Sequence, residues 1–110
     1  MVKENRIRKN EEFSRIISKR KSCANSSFVV YFDKRAQDHS RIGISVSKKL
    51  GNAVVRNKIK RQVRMMIANF YKFDEETHDF IIIVRNSFLE NSFAENQLNL
   101  EKLIRKSYNR

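Results

Sequence analysis

Hydrophobic residues recur along this chain in two rhythms, one helical and one alternating. In NEEFSRIISK, Phe13, Ile16 and Ile17 fall at helical spacing, with Glu11 and Glu12 in the first turn where the positive end of the helix dipole favours acids. The pattern predicts a helix to about Lys19 with Asn10 as its cap. From Ser27 to Phe32 the residues are aromatic or β-branched, with Phe28, Val30 and Phe32 on one face and Val29 and Tyr31 on the other, as in a strand. After a polar, turn-like stretch, residues 41–47 alternate: Ile42, Ile44 and Val46 face one way and Arg41, Gly43, Ser45 and Ser47 the other. A hairpin between these two strands is the expected pairing.

Gly51 and Asn52 mark the next boundary, and Asn52 is the expected cap of a long helix from about Ala53 to Phe70. Val55, Ile59, Val63, Met66, Ile67 and Phe70 form its apolar arc. The acidic connector FDEETHD leads to residues 80–85, a run apolar on both faces that predicts a central strand covered on each side. Residues 95–107 carry Leu98, Leu100, Leu103 and Ile104 at roughly helical spacing, with Tyr108 just beyond. The resulting order, α-β-β-α-β-α, predicts an α/β fold of the α+β sandwich kind. One domain spans residues 1–110, with helices against a small mixed sheet.

Charge sharpens this picture. Twenty-four Lys and Arg against twelve Asp and Glu give +12 over 110 residues, which implies a polyanionic partner and no small-molecule substrate. The longest apolar run, 80–84, is far shorter than the ~20 residues of a spanning helix, so no membrane span is expected. The N-terminal residues have no apolar central stretch, so no secretory leader is expected either, and the predicted location is the cytoplasm. Cys23, the single cysteine, has no disulfide partner within the chain and reads as a small buried or strand-edge residue.

The basic residues are also clustered. Between residues 41 and 64 lie eight Lys and Arg and no carboxylate, whereas residues 65–101 hold seven carboxylates and two basic residues. On a helical wheel Arg56, Asn57, Lys60, Arg61 and Arg64 share an arc of roughly 140° beside the apolar arc. Like charges at i,i+4, such as Arg56 with Lys60, cost an isolated helix a few tenths of a kcal/mol per pair, so a compensating anion is expected. Arginine forks suit phosphate oxygens and Asn57 suits a base edge or a 2′-hydroxyl, a mix that fits structured RNA. A second candidate surface is a shallow groove in which Val29 and Tyr31 share a sheet face with Gly43, Ser45 and Ser47, edged by Phe13 and Ile17 of the first helix. Aromatic faces in a basic groove stack single-stranded bases at about 1–3 kcal/mol each. The alternative is that Phe13, Ile17 and Tyr31 are ordinary contacts between helix and sheet. No catalytic residues are expected: His39 and His78 fall in predicted loops without metal-ligand spacing, and no phosphate loop is present.

The stretch ISVSKKLGNAVVRNKIKRQVR, from Ile44 to Arg64, resembles the signature of the bacterial ribonuclease P protein subunit, in which Arg-Asn-x-x-Lys-Arg-x-x-Arg is met here by Arg56, Asn57, Lys60, Arg61 and Arg64. The likeness extends to RIRKNEEF, to Ala-Asn followed by FVVY, and to DFIIIVR. It implies the protein half of an endonuclease that removes the 5′ leader of precursor tRNA, in which a catalytic RNA carries out Mg2+-dependent hydrolysis. The protein itself then binds no cofactor or metal and is a monomer in isolation. Carried across, the resemblance implies that Lys48, Lys49, Arg56, Asn57, Lys60, Arg61 and Arg64 bind the RNA subunit. It implies a leader cleft of Phe13, Ile17, Val29, Tyr31, Ser45 and Ser47. Ile17 departs from the aromatic that some members carry, which replaces stacking with apolar contact. The resemblance also implies a left-handed crossover through the long helix, where the general rule alone would give a right-handed one. The competing readings are a structural RNA-binding protein, such as a ribosomal protein, and a protein-only nuclease.

Overall fold

The computed structural model describes residues 3–108. Strand β1 (Ser22–Ala24) turns through residues 25–27 into β2 (Phe28–Lys34), and the Asn25 side chain builds the turn by accepting from the Ser27 and Phe28 N–H groups at 3.0 and 2.8 Å. Strands β3 (Ile42–Val46) and β4 (His78–Val84) complete one sheet in the order β1-β2-β4-β3. The expected β2–β3 hairpin does not form: β4 lies between them, antiparallel to β2 and parallel to β3. The reason is burial. Phe80, Ile81, Ile82 and Val84 are almost wholly inaccessible on two opposite faces, and burial is worth about 1.5–3 kcal/mol for each such side chain. The connection from Lys34 to Ile42 is long enough in extended form to pass the end of β4, so the insertion of β4 asks for no further residues. The hairpin that exists joins β1 to β2, and β1 is a three-residue edge strand too short to register as alternation. Cys23 sits there, buried.

Three helices cover the sheet. Helix α1 (Asn10–Ser18) begins one residue earlier than its composition suggests: Lys9 takes the extended cap conformation with no side-chain cap bond, and Asn10 is the first helical residue. Helix α2 (Ala53–Phe70) has the predicted bounds, with the Asn52 side chain accepting from Val55 N–H at 3.0 Å. Gly51, at φ +151°, makes the entry to α2 in a conformation that side chains rarely adopt. Helix α3 (Phe93–Ser107) starts two residues before the expected Glu95, because Ser92 and Glu95 form a reciprocal capping box. Ile59, Val63, Met66 and Ile67 of α2 and Leu100, Leu103 and Ile104 of α3 pack on the face formed by Phe28, Val30, Phe32, Ile42, Phe80, Ile82 and Val84. Val55, at the rim of the predicted arc, remains exposed. Helix α1 takes the opposite face.

The hand of the β3-α2-β4 unit follows from the backbone. Viewed from the core face with β4 running upward, an L-residue whose side chain points at the viewer directs its N–H and C=O to the right. Phe80 points into that core and its N–H donates to Arg41 O at 3.0 Å, so β3 lies to the right of β4. The chain crosses in front of the sheet from right to left. The unit is left-handed, against a rule that holds in about 98% of parallel connections.

The two histidines lie in opposite environments. His39 Nδ1 lies 2.9 Å from Asp38 Oδ1 and its Nε2 lies 3.0 Å from Glu4 O, both acceptors, so only the imidazolium fills both contacts. Asp38, and then the Glu4 carbonyl, push its pKa above the ordinary value. His78 belongs to β4, not to a loop, among the Phe32, Phe80 and Tyr108 rings. Burial, and then Lys21, pull its pKa down. Stability therefore rises with pH toward about 6.5, where unfolded His78 sheds its proton, and falls above it as folded His39 titrates. We expect His39→Asn to abolish the alkaline fall and His78→Asn to abolish the acid-side rise in urea midpoints measured from pH 5 to 8.

Candidate RNA interface

The face under α1 is organised in three rows across β2, β4 and β3. Registry aligns Val29 with Ile83 and Ser45, and Tyr31 with Ile81 and Gly43. Beyond them lie Asp33, Asp79 and Arg41, the last just before β3 and bonded through its N–H to Asp79 Oδ1 at 2.9 Å. The predicted groove residues do share one face, but β4 stands between the β2 and β3 members, so Ile81 and Ile83 form its centre. Sequence reasoning missed Ile83, although its signal is the double-sided apolar run.

Helix α1 lies across the middle row. Ile16 is fully buried against Ile7 and Ile81, with Phe13, Ile17, Tyr31 and Ile83 partly covered around them. Phe13 reaches this position because position 43 has no side chain: a Cβ there would stand 2.7 Å from Phe13 Cζ and 2.9 Å from Ile81 Cδ1. The Val29–Ile83–Ser45 row stays half-buried, and it is the open floor of the groove. Ser47 lies past the end of β3, exposed. Its Oγ accepts from Lys49 N–H at 3.1 Å and caps the short turn Lys48–Leu50, which presents Lys48 and Lys49 to solvent.

Helix α2 divides its basic residues by depth. Asn57 and Arg61 are exposed, while Arg56, Lys60 and Arg64 are half-buried along its flank. The Nε atoms of Arg56 and Arg64 are inaccessible and without a hydrogen-bond partner. Burial, and then the nearby charge of Arg6, lower the pKa of Arg64. Among the described residues no ion pair involves Lys48, Lys49, Arg56, Lys60, Arg61 or Arg64. Arg41 is different. Counted by sequence with this basic run, it is 6% exposed and paired internally, with Nη2 2.6 Å from Glu12 Oε2 and 3.6 Å from Asp79 Oδ2.

Between α1, β3 and α2 lies a cleft of about 520 Å³. Phe13 and Ser45 from the groove and Lys60 and Arg64 from the basic flank line it together, over a floor that includes Ile42, Ile44 and Val46. Arg6 and Arg8, which sequence reading left out of the site, complete its basic rim. Their signal was present in the alternating R-I-R of a segment that bridges to β3 at Ile42. Ile17, Val29, Tyr31 and Ser47 lie outside the cleft, as do Lys48, Lys49, Arg56, Asn57 and Arg61.

An α/β domain with a carboxylate-free cationic helix beside an apolar groove has the build of a nucleic-acid-binding module. The sequence model of the family described as Ribonuclease P matches residues 1–108. The chain is 54% identical over 99 residues to the ribonuclease P protein component of Mesoplasma florum, covering 89% of this chain and 90% of that one. It is 46% identical over 108 residues to that of Bacillus mycoides, covering 97% and 94%. The Staphylococcus aureus RNase P protein superposes with a TM-score of 0.81 at 42% identity, covering 94% of each chain. The Thermotoga maritima protein gives 0.76 at 33%, covering 91% and 96%. The chain belongs to the ribonuclease P protein family. It is the protein component of a tRNA-processing ribonucleoprotein endoribonuclease, and its partner there is the ribonuclease P RNA. Among the described residues no helix is long and apolar enough to cross a membrane.

If Gly43 seats α1, Gly43→Ala must displace Phe13. Overpacking of this kind costs about 1–3 kcal/mol, so the urea midpoint should drop correspondingly. An unchanged midpoint would show that Phe13 does not rest on β3.

Proposed function

We propose that α2 and the Lys48–Leu50 turn dock on the ribonuclease P RNA through Lys48, Lys49, Arg56, Asn57, Lys60, Arg61 and Arg64. The groove of Phe13, Ile17, Val29, Tyr31, Ser45 and Ser47 receives the single-stranded 5′ leader of precursor tRNA. The observation that carries this reading is the cleft in which Phe13 and Ser45 meet Lys60 and Arg64, so that groove and basic flank form one continuous surface. RNA running along the groove into this cleft sets bases against Tyr31 and then Phe13, and phosphates against Lys60 and Arg64. Stacking is worth about 1–3 kcal/mol per base, and Ile17 contributes apolar contact without it. The half-buried arginines gain more from a phosphate than exposed ones do, because the surrounding dielectric is lower.

Hydrolysis belongs to the RNA subunit and its Mg2+. The protein binds and orients, and its charge offsets phosphate repulsion, which lowers the Mg2+ concentration required. It works in the cytoplasm and is a monomer before assembly.

The test is cleavage of precursor tRNA by a bacterial ribonuclease P RNA at low Mg2+, with and without this protein, beside a protein-only control. Stimulation only with both components supports the reading. RNA binding without stimulation would favour a purely structural RNA-binding role, and cleavage by protein alone would overturn the assignment of chemistry. With about six phosphates contacted, log affinity for the RNA falls against log salt with a slope near −5; a slope shallower than about −2 excludes that number of contacts. Arg61→Ala should weaken assembly with the RNA, and Tyr31→Ala should reduce the preference for precursor over mature tRNA.

A further inference from the structure

The groove floor stays open only if α1 keeps to the middle row. Helix α1 is nine residues long, and its apolar side packs on Ile81, with Tyr31 and Ile83 partly covered at its margin. The Gly43 notch that admits Phe13 pins the helix at one point, and hydrophobic contact elsewhere is non-directional. Charge supplies the second constraint. At the far edge of the same face lies the row Asp33, Asp79 and Arg41, and the helix meets it twice. Glu12 pairs with Arg41 at 2.6 Å and Arg15 pairs with Asp33 at 3.3 Å. The two pairs are of opposite sense, acid on base over β3 and base on acid over β2, so they fix both the position and the direction of the helix.

The Arg41 end is the stiffer of the two. Asp79 is wholly buried and accepts from the N–H groups of Arg41 and Ala36 at 2.9 and 3.3 Å, while its second oxygen also faces the Arg41 guanidinium at 3.6 Å. The guanidinium is therefore held by β4 on one side and grips the helix on the other. One nitrogen, Nη2, faces both carboxylates, while the buried Nε of Arg41 has no hydrogen-bond partner. The Arg15 side chain is 39% exposed and has one partner, so screening weakens that pair.

We propose that Arg41, anchored by Asp79, is a positioning residue that holds α1 through Glu12 at the charged edge of the sheet and so keeps the Val29–Ile83–Ser45 row open for the leader. This rests on the leader-groove reading above. The Glu12–Arg41–Asp79 link touches no RNA itself. It acts by setting the place of Phe13 and Ile17, and removing it lets α1 slide over the row that the leader would occupy.

Removing Arg41 would strand the buried Asp79 carboxylate and threaten folding, so the test uses Glu12→Gln in the reconstituted holoenzyme, with Glu12→Asp as the conservative variant. The expected result is a rise of about fivefold in KM for precursor tRNA with kcat at saturation and affinity for mature tRNA unchanged. Affinity for the ribonuclease P RNA also stays at wild type, and Glu12→Asp restores at least half of the loss. Tyr31→Ala is measured in parallel. If it loses the precursor preference and Glu12→Gln keeps it, the positioning role is overturned and the groove reading stands. If neither variant loses it, both are overturned. An equal loss for precursor and mature tRNA in Glu12→Gln, or no rescue by Glu12→Asp, reduces the link to general stability and overturns the proposal.

Discussion

Everything in this fold follows from one strand that is apolar on both sides. Residues 80–84 need cover above and below, and among the described residues three α-helices provide it. Strand β4 therefore takes the centre of the sheet. Helices α2 and α3 close one face, and the short α1 closes part of the other. Because α1 is too short to cover that face completely, a strip of sheet is left half-bare beside it. The groove is thus a remainder of the packing problem, and its floor is made from the same isoleucines that hold the sheet together.

The crossover from β3 to β4 brings the cationic helix to this remainder. α2 must pack on the large core face, yet Lys60 and Arg64 on its flank are turned toward β3, the strand at the margin of the sheet. The groove and the basic flank thereby border a common cleft although they lie on different layers. A chain with the same elements and the opposite crossover would set the same helix on the other side of β4.

Much of this was legible from residues alone. Strand faces and the ends of α2 were readable because alternation, Asn52 and Gly51 are local signals, and β4 announced its central place through an uninterrupted apolar run. Sheet order is not local: the need to cover both faces of β4 decides it. The basic stripe was readable by type but not by fate. Arg41 has the same formal charge as Arg61, and what separates them is Asp79, thirty-eight residues onward, and Glu12 on another element. The R-I-R alternation at Arg6 and Arg8 is too short to mark a surface until β3 lies beside it. The Ser92–Glu95 box was present in the sequence, and the leucine spacing that follows drew the boundary two residues too late.

The margin of the sheet has one more consequence. Past the bridge at Ile42, no strand among the described residues pairs with the outer side of β3, and such an edge is a template on which other chains can add. Here it opens into a cleft rimmed by Arg6, Arg8, Lys60 and Arg64. A second copy approaching edge to edge would bring the same four positive charges against its own image. The same charges that attract a polyanion thus also oppose an edge-to-edge approach of two copies. Neutralising them to weaken RNA binding would at the same time uncover a strand edge to self-association.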